Sequence, residues 1–97
     1  MAFRFEWDEN KNRTNIAKHG VDFASVAPVF DDPLSLTVLD RIVDGDLRYR
    51  TVGAALHGVV LVAHTLHETL GGVEWIRLIS ARYATSSERK AYEEGEY

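Results

Sequence analysis

The sequence predicts an α+β fold of order β-α-α-β-β-β-β-α: a mainly antiparallel sheet with two N-terminal helices and a C-terminal helix. Three observations carry this. Phe3-Arg4-Phe5-Glu6-Trp7 alternates apolar and polar side chains, the period of a strand with one buried face. Asp8 to Gly20 and Thr85 to Glu88 carry helix start and stop residues. The β-rich runs Arg48–Leu56 and Val59–Leu66 flank His57-Gly58, a spacing that fits a tight hairpin.

The elements follow in order. After the first strand, Asp8 is an N-cap, Glu9 suits the positive end of the helix dipole, and Gly20 stops the helix after Lys18 and His19. The first helix is therefore expected over Glu9–His19. Its apolar content is only Ile16 and Ala17, and Lys11, Asn15 and Lys18 share one face that is expected to be wet. Asp22 caps a second helix whose Phe23, Val26 and Phe30 would cover the sheet, and Pro28 keeps it short or kinked. Asp31-Asp32-Pro33 is a turn, and Leu34, Leu36, Val38 and Asp40 open the second strand. The polar stretch Arg41–Leu47 reads as a loop. The third and fourth strands form the hairpin, Gly71-Gly72 turns the chain, and Trp75–Tyr83 is a last strand beside the fourth. Thr85-Ser86-Ser87-Glu88 fits a capping box opening a helix from Ser86 to about Glu94.

A chain of 97 residues suits one domain, 1–97, because domains commonly run to about 100–150 residues. The longest apolar run, Val59–Ala63, is far short of the roughly 20 residues of a membrane span. The N-terminal Met1–Glu6 stretch has no secretory apolar region, and there is no cysteine to form a disulfide or a thiolate site. No membrane association and a cytoplasmic location are expected. The net charge is −4, but it is unevenly spread: residues 1–47 hold nine acids and five bases, residues 48–90 three acids and six bases, and residues 91–97 three acids. Five of the six central bases are Arg48, Arg50, Arg77, Arg82 and Arg89, and the arginine fork grips phosphate bidentately. The alternative is that these arginines pair with Glu74, Glu88 or Glu93 and only solubilise the sheet.

Common enzyme templates do not fit. His64-Thr65-Leu66-His67-Glu68 would send its two histidines to opposite faces of a strand and lacks the helical zinc spacing. Gly71-Gly72 lacks the frame of a phosphate loop, and no serine nucleophile elbow is present. No metal and no cofactor are expected. What survives is arginine with interleaved tyrosine and histidine. An odd register between the last two long strands would put His64, Arg77 and Tyr83 on a face with Tyr49 and Thr51, and Arg82 and Ser80 on the other. Such a face could hold RNA phosphate by arginine and stack a base on tyrosine. RNA cleavage then needs a base for the 2′-hydroxyl proton, a cation for the phosphorane charge and an acid for the leaving 5′-oxygen.

The order and spacing of Phe5-Glu6-Trp7-Asp8, Lys11, Asn15, Lys18-His19-Gly20-Val21, Phe23, Val29-Phe30-Asp31-Asp32-Pro33, Arg48-Tyr49, Gly53, Ile76 to Arg82, Glu88-Arg89 and Tyr92-Glu93 resemble the BrnT toxins of BrnT–BrnA type II toxin–antitoxin modules. The resemblance spans nearly the whole chain. It implies a RelE-like ribonuclease toxin that arrests growth by cutting RNA. It further implies neutralisation by a BrnA-like ribbon-helix-helix antitoxin, so that operator DNA is met only through the antitoxin, and a 2:2 complex is the simplest symmetric product. Arg48, Arg77 and Arg82 match positions where the family usually has arginine, Lys18-His19-Gly20 matches its helix-terminal motif, and Glu88-Arg89 with Tyr92 matches its last helix. The chain is less basic than many relatives near Tyr83 and Ser86-Ser87.

The candidate catalytic residues are thus Arg48, Arg77, Arg82 and Tyr92, with a histidine the other candidate for proton transfer and the general base unassigned. The candidate RNA-binding residues are Arg50, Arg89, Lys18, His19 and Tyr83. His19 also has a purely local reading, as a C-cap side chain ahead of a left-handed glycine. The competing function is non-enzymatic: a catalytically weak or inactive interaction module that binds the antitoxin and modulates operon repression.

Overall fold

A computed structural model describes residues 3–96. Met1, Ala2 and Tyr97, and with them the ends of the expected 1–97 domain and part of the N-terminal stretch, lie outside the described residues. The elements are β1 (Phe3–Glu6), α1 (Glu9–His19), α2 (Phe23–Val26) running into a 3-10 turn (Ala27–Asp31), β2 (Leu36–Val43), β3 (Asp46–Ala55), β4 (Gly58–His64), β5 (His67–Glu68), β6 (Glu74–Tyr83) and α3 (Ser86–Glu94). The sheet runs β1-β6-β4-β3-β2, with β5 beside β6. β1 pairs with β6 in parallel and every other pair is antiparallel.

Both long helices start and stop where local chemistry dictates. The Asp8 carboxylate accepts from the Asn10 (2.7 Å) and Lys11 (3.2 Å) N–H groups, and Gly20 ends α1 at φ 68°, a conformation glycine adopts without a Cβ penalty. Thr85 and Glu88 complete the expected capping box at 3.1 and 2.9 Å. The expected 41–47 loop is instead the end of β2, a turn, and the start of β3. Asp44 (φ 50°) and Gly45 (φ 84°) both take the left-handed conformation of a two-residue hairpin turn. Its signal, Asp-Gly, was in the sequence. An irregularity between Leu39 and Arg41 breaks the alternation there and hides the strand.

The two faces of the sheet differ. One carries the main core: Val60 and Val62 of β4 and Ile76, Leu78 and Ala81 of β6 lie under Val21, Phe23, Val26 and Val29, with Phe3, Phe5, Trp7 and Phe30 at its border. On the other, a small cluster of Val52, Leu61 and Ala84 is covered by Tyr92 of α3, and the remainder is open.

α1 packs by amide chemistry, not by apolar area. The Asn15 carboxamide donates to Ala81 O (2.8 Å) and Val21 O (2.8 Å) and accepts from the Ala81 N–H (3.0 Å), standing in for a strand where β1 no longer covers the edge of β6. Asn12 accepts from the Phe23 N–H (2.9 Å) and donates to Asp22 (3.3 Å). The expected wet face is therefore correct for the exposed Lys11 and Lys18 and wrong for Asn15, which is 5% exposed.

His64 is fully buried. Its Nδ1 lies 3.1 Å from the Thr65 carbonyl and its Nε2 2.6 Å from the Thr51 hydroxyl, which is 2.7 Å from that of Thr37. A carbonyl only accepts, so these partners assign the proton to Nδ1 and make Thr51 the donor to Nε2. Burial pushes the imidazole down to about 4, against a weaker opposing effect of the Thr65 bond. The unfolded imidazole takes a proton below about 6.5 and the folded one resists until about 4, so stability is full above 6.5 and falls as pH drops through that window, by roughly 3 kcal/mol. Chemical denaturation between pH 7 and pH 4 is expected to show this loss, and His64→Gln to flatten it.

Candidate nucleic-acid interface

Cross-strand partners share a face, so the register sorts the arginines. Arg50 pairs with Ala63, and Ala63 with Ser80; Val52 pairs with Leu61, and Leu61 with Arg82; Arg41 pairs with Arg48. All lie on the open face. The odd register expected between β4 and β6 holds from Val60↔Tyr83 to Ala63↔Ser80, after which an irregularity brings Leu78 opposite His64. That bulge adds Ile79 to β6 and corrects the expected grouping. Arg77 leaves the face of His64, Tyr49 and Thr51 for the opposite one, where it meets Glu6 at 3.8 Å. Tyr83, partner of Val60, stays on the His64 side and so turns away from Arg82.

The open face is concave. Three adjoining depressions of about 300, 220 and 300 Å³ cross it, and Ser80 lines all three. The first lies between α1 and β6, with Lys11, Lys18 and His19. The second holds Arg41, Arg48 and Asp40. The third joins them, with His19, Arg50, Arg82, Arg41 and Asp40. Lining side chains include six cations, Lys11, Lys18, Arg41, Arg48, Arg50 and Arg82, against two carboxylates, Asp8 and Asp40. A chain of net charge −4 thus carries a locally positive groove, the sign that attracts polyanions.

Neighbouring carboxylates orient its arginines. Glu88 accepts from both terminal nitrogens of Arg82, at 2.7 and 2.9 Å, a fork-to-fork pair that fixes the guanidinium plane. Those bonds from Arg82 hold the Glu88 carboxyl down at about 2 against the opposing effect of its burial. Its contribution to stability is therefore present above about 4.5 and is lost as pH falls toward 2. Asp40 lies 3.5 Å from Arg50 and 3.2 Å from Arg41. Arg48 Nε is buried without a hydrogen-bond partner among the described residues. His19 ends α1, where with Lys18 it meets the negative pole of the helix dipole.

Of the sequence-predicted residues, the structure brings together Arg48, Arg50, Arg82, Lys18 and His19. Arg77 lines none of the three depressions. Arg89 is exposed on α3. Tyr92 lines a separate hollow of about 520 Å³ with Pro33, Leu34, Leu36 and Glu93, and its hydroxyl donates to Asp32 at 2.6 Å. That bond raises the Tyr92 phenol above its ordinary range. At Asp32 burial works upward, but the bonds from Tyr92, Ala54 and Leu34 outweigh it and hold the carboxyl below its usual range. Tyr92 thus ties α3 to the Asp32 turn. Gly53 makes that turn possible, because a Cβ there would meet Val29 at 2.8 Å and Ser35 at 2.9 Å.

Sequence reasoning missed Lys11, Arg41, Asp40, Ser80 and Ile79 as groove residues. For Arg41 the available signal was the Asp44-Gly45 turn, which sets Arg41 opposite Arg48. Among the described residues no three His, Asp or Glu side chains group as metal ligands, and no helix is long and apolar enough to cross a membrane.

The family model described as the ribonuclease toxin, BrnT, of type II toxin–antitoxin systems matches residues 7–88. A search of curated proteins returned no match.

Proposed function

The chain belongs to the BrnT family of ribonuclease toxins of type II toxin–antitoxin systems, and from that premise we propose that RNA is bound and cut in the groove on its open sheet face. The observation that carries this reading is the meeting of Arg50, Arg82 and His19 around one depression, with Arg48 and Lys18 in the two that adjoin it. Arg50 and Arg82 hold the scissile phosphate and stabilise the charge that builds on its oxygens. Arg48 and Lys18 hold neighbouring phosphates. His19, an exposed imidazole at the junction, is the proton-transfer group. Attack by the 2′-hydroxyl closes a 2′,3′-cyclic phosphate as the bond to the 5′-oxygen breaks. The 2′-proton goes to a base, and the leaving oxygen takes one from an acid. No step calls for a metal ion.

As a type II toxin the chain has an antitoxin partner. We assign that partner to the BrnA-like ribbon-helix-helix class, in a 2:2 complex whose antitoxin alone meets operator DNA. An acidic antitoxin segment over the groove would exclude RNA by occupancy and by charge.

Two outcomes test the chemistry. His19→Ala is expected to lower the single-turnover cleavage rate by about 10²-fold while RNA affinity changes little, as read by anisotropy with a 2′-O-methyl oligonucleotide. Cleavage is expected to persist in EDTA. Abolition by EDTA with recovery on adding a divalent ion would place a metal in the reaction.

A further inference from the structure

The depression between α1 and β6 holds Lys11, Lys18, Asn10 and Thr14 on its helix side and the Ile79–Ser80 bulge on its sheet side. It opens into the Arg50–Arg82 depression, because His19 and Ser80 line both. From this continuity, and on the reading that the groove cuts RNA, we infer that the α1–β6 depression is a substrate subsite, which binds the single-stranded polyribonucleotide on one side of the bond that is cut.

Three features carry the inference. The first is geometry: the bulge at Ile79 lifts this part of β6 out of regular pairing, and Asn15 anchors α1 alongside through Ala81, so a channel runs along the helix between the two. The second is charge. Lys11 and Lys18 are seven residues apart, about 10 Å along the axis at about 1.5 Å per residue. At about 3.4 Å per stacked nucleotide this is the reach of two or three phosphates. Asp8, the carboxylate lining the channel, is occupied in accepting two backbone N–H groups of α1. The third is size. About 300 Å³ is at the lower end of the volumes that small organic ligands fill, room for one nucleotide with a phosphate on each side of it.

α1 therefore has two jobs, carried by neighbouring side chains, of which Asn15 lines the same depression as the two lysines. Asn12 and Asn15 dock it, and Lys11, Thr14 and Lys18 present a polar, cationic lining.

The experiment measures binding of 2′-O-methyl oligonucleotides of two, four and eight residues by fluorescence anisotropy, for the wild-type chain and the double variant Lys11→Ala, Lys18→Ala. The subsite predicts that wild-type affinity rises at least 10-fold from the dimer to the octamer. It predicts that the double variant loses most of that rise, and that its octamer salt slope is smaller by about 1.4, at about 0.7 per phosphate contact in a single strand. Both lysines are exposed, so an unchanged circular dichroism melt is expected. Equal length dependence and equal salt slope in the two proteins would overturn the subsite. Cleavage of unmodified octamer is scored separately: its absence, with the binding pattern intact, would overturn the ribonuclease reading of the groove and leave the channel standing as a polynucleotide site.

Discussion

Arg82→Ala is expected to lower the single-turnover rate of RNA cleavage by about 10²-fold or more, the scale of removing one preorganised donor from a developing oxyanion. Arg82 lies on the open face with its guanidinium plane held by Glu88 at 2.7 and 2.9 Å. A phosphate entering the depression meets a donor already oriented, and little reorganisation accompanies the reaction. Arg82→Lys is expected to recover only part of the rate, because an ammonium keeps the charge and loses the planar fork. Arg50→Ala should match Arg82→Ala, since both line the same depression. Arg77→Ala should lose much less, because Arg77 sits beside Glu6 outside the three depressions. Equal losses at Arg77 and Arg82 would mean that net charge, not position, governs the reaction. Rates at saturating RNA separate the two.

Asn15→Ala is expected to destabilise the fold by about 3 kcal/mol or more, measured by chemical denaturation. The side chain satisfies the Ala81 N–H, the Ala81 carbonyl and the Val21 carbonyl. Each buried group left unpaired costs roughly 1–3 kcal/mol. Asn15→Asp should do no better, because a carboxylate supplies the acceptor, loses both donors and brings a charge into a site that is 5% exposed. A loss below about 1 kcal/mol in Asn15→Ala would show that α1 is held by other contacts. The subsite channel, whose helical wall depends on this clamp, should weaken with it.

Much of the fold is local, and the local part was readable. The bounds of α1 follow from Asp8, Lys18-His19 and Gly20, the start of α3 from the Thr85–Glu88 box, and the β3–β4 hairpin from His57-Gly58. The missed strand ends at Asp44-Gly45 have a physical cause. The Asp40-Arg41 irregularity puts two charged residues in succession and breaks the period-2 pattern, so a continuous strand looked like a polar loop. Helix α1 was readable in extent and not in packing, because Asn15 meets Ala81 across 66 positions of sequence. Three asparagines, Asn10, Asn12 and Asn15, inside a helix with little apolar content were the one available sign, since asparagine is a poor interior helix residue unless its amide has a partner.

The site was legible in composition and not in arrangement. An excess of arginine in residues 48–90 pointed to phosphate, and five of the nine candidate residues do meet in one groove. The side on which Arg77 lies depends on a single inserted residue. Without the irregularity between Ala63 and His64 in the β4–β6 pairing, Arg77 would share the His64 face, as the simple register expects; with it, Arg77 changes sides. A bulge leaves little trace in one sequence. Tyr92 is a proton-transfer candidate by the family resemblance of its helix, and its neighbour Asp32, 60 positions away, explains why the hydroxyl serves the docking of α3.

The chemistry of the cut ends tests the arginine-lined groove most directly. Purified chain, free of antitoxin and assayed in EDTA, is to be incubated with a single-stranded RNA of defined sequence and the product termini determined by mass spectrometry, beside the Arg50→Ala, Arg82→Ala double variant. Attack by the 2′-hydroxyl in an arginine-lined groove predicts a 2′,3′-cyclic phosphate on one fragment and a 5′-hydroxyl on the other, with neither formed by the variant. Fragments ending in 3′-hydroxyl and 5′-phosphate, or cyclic-phosphate products formed equally well by the double variant, would contradict it.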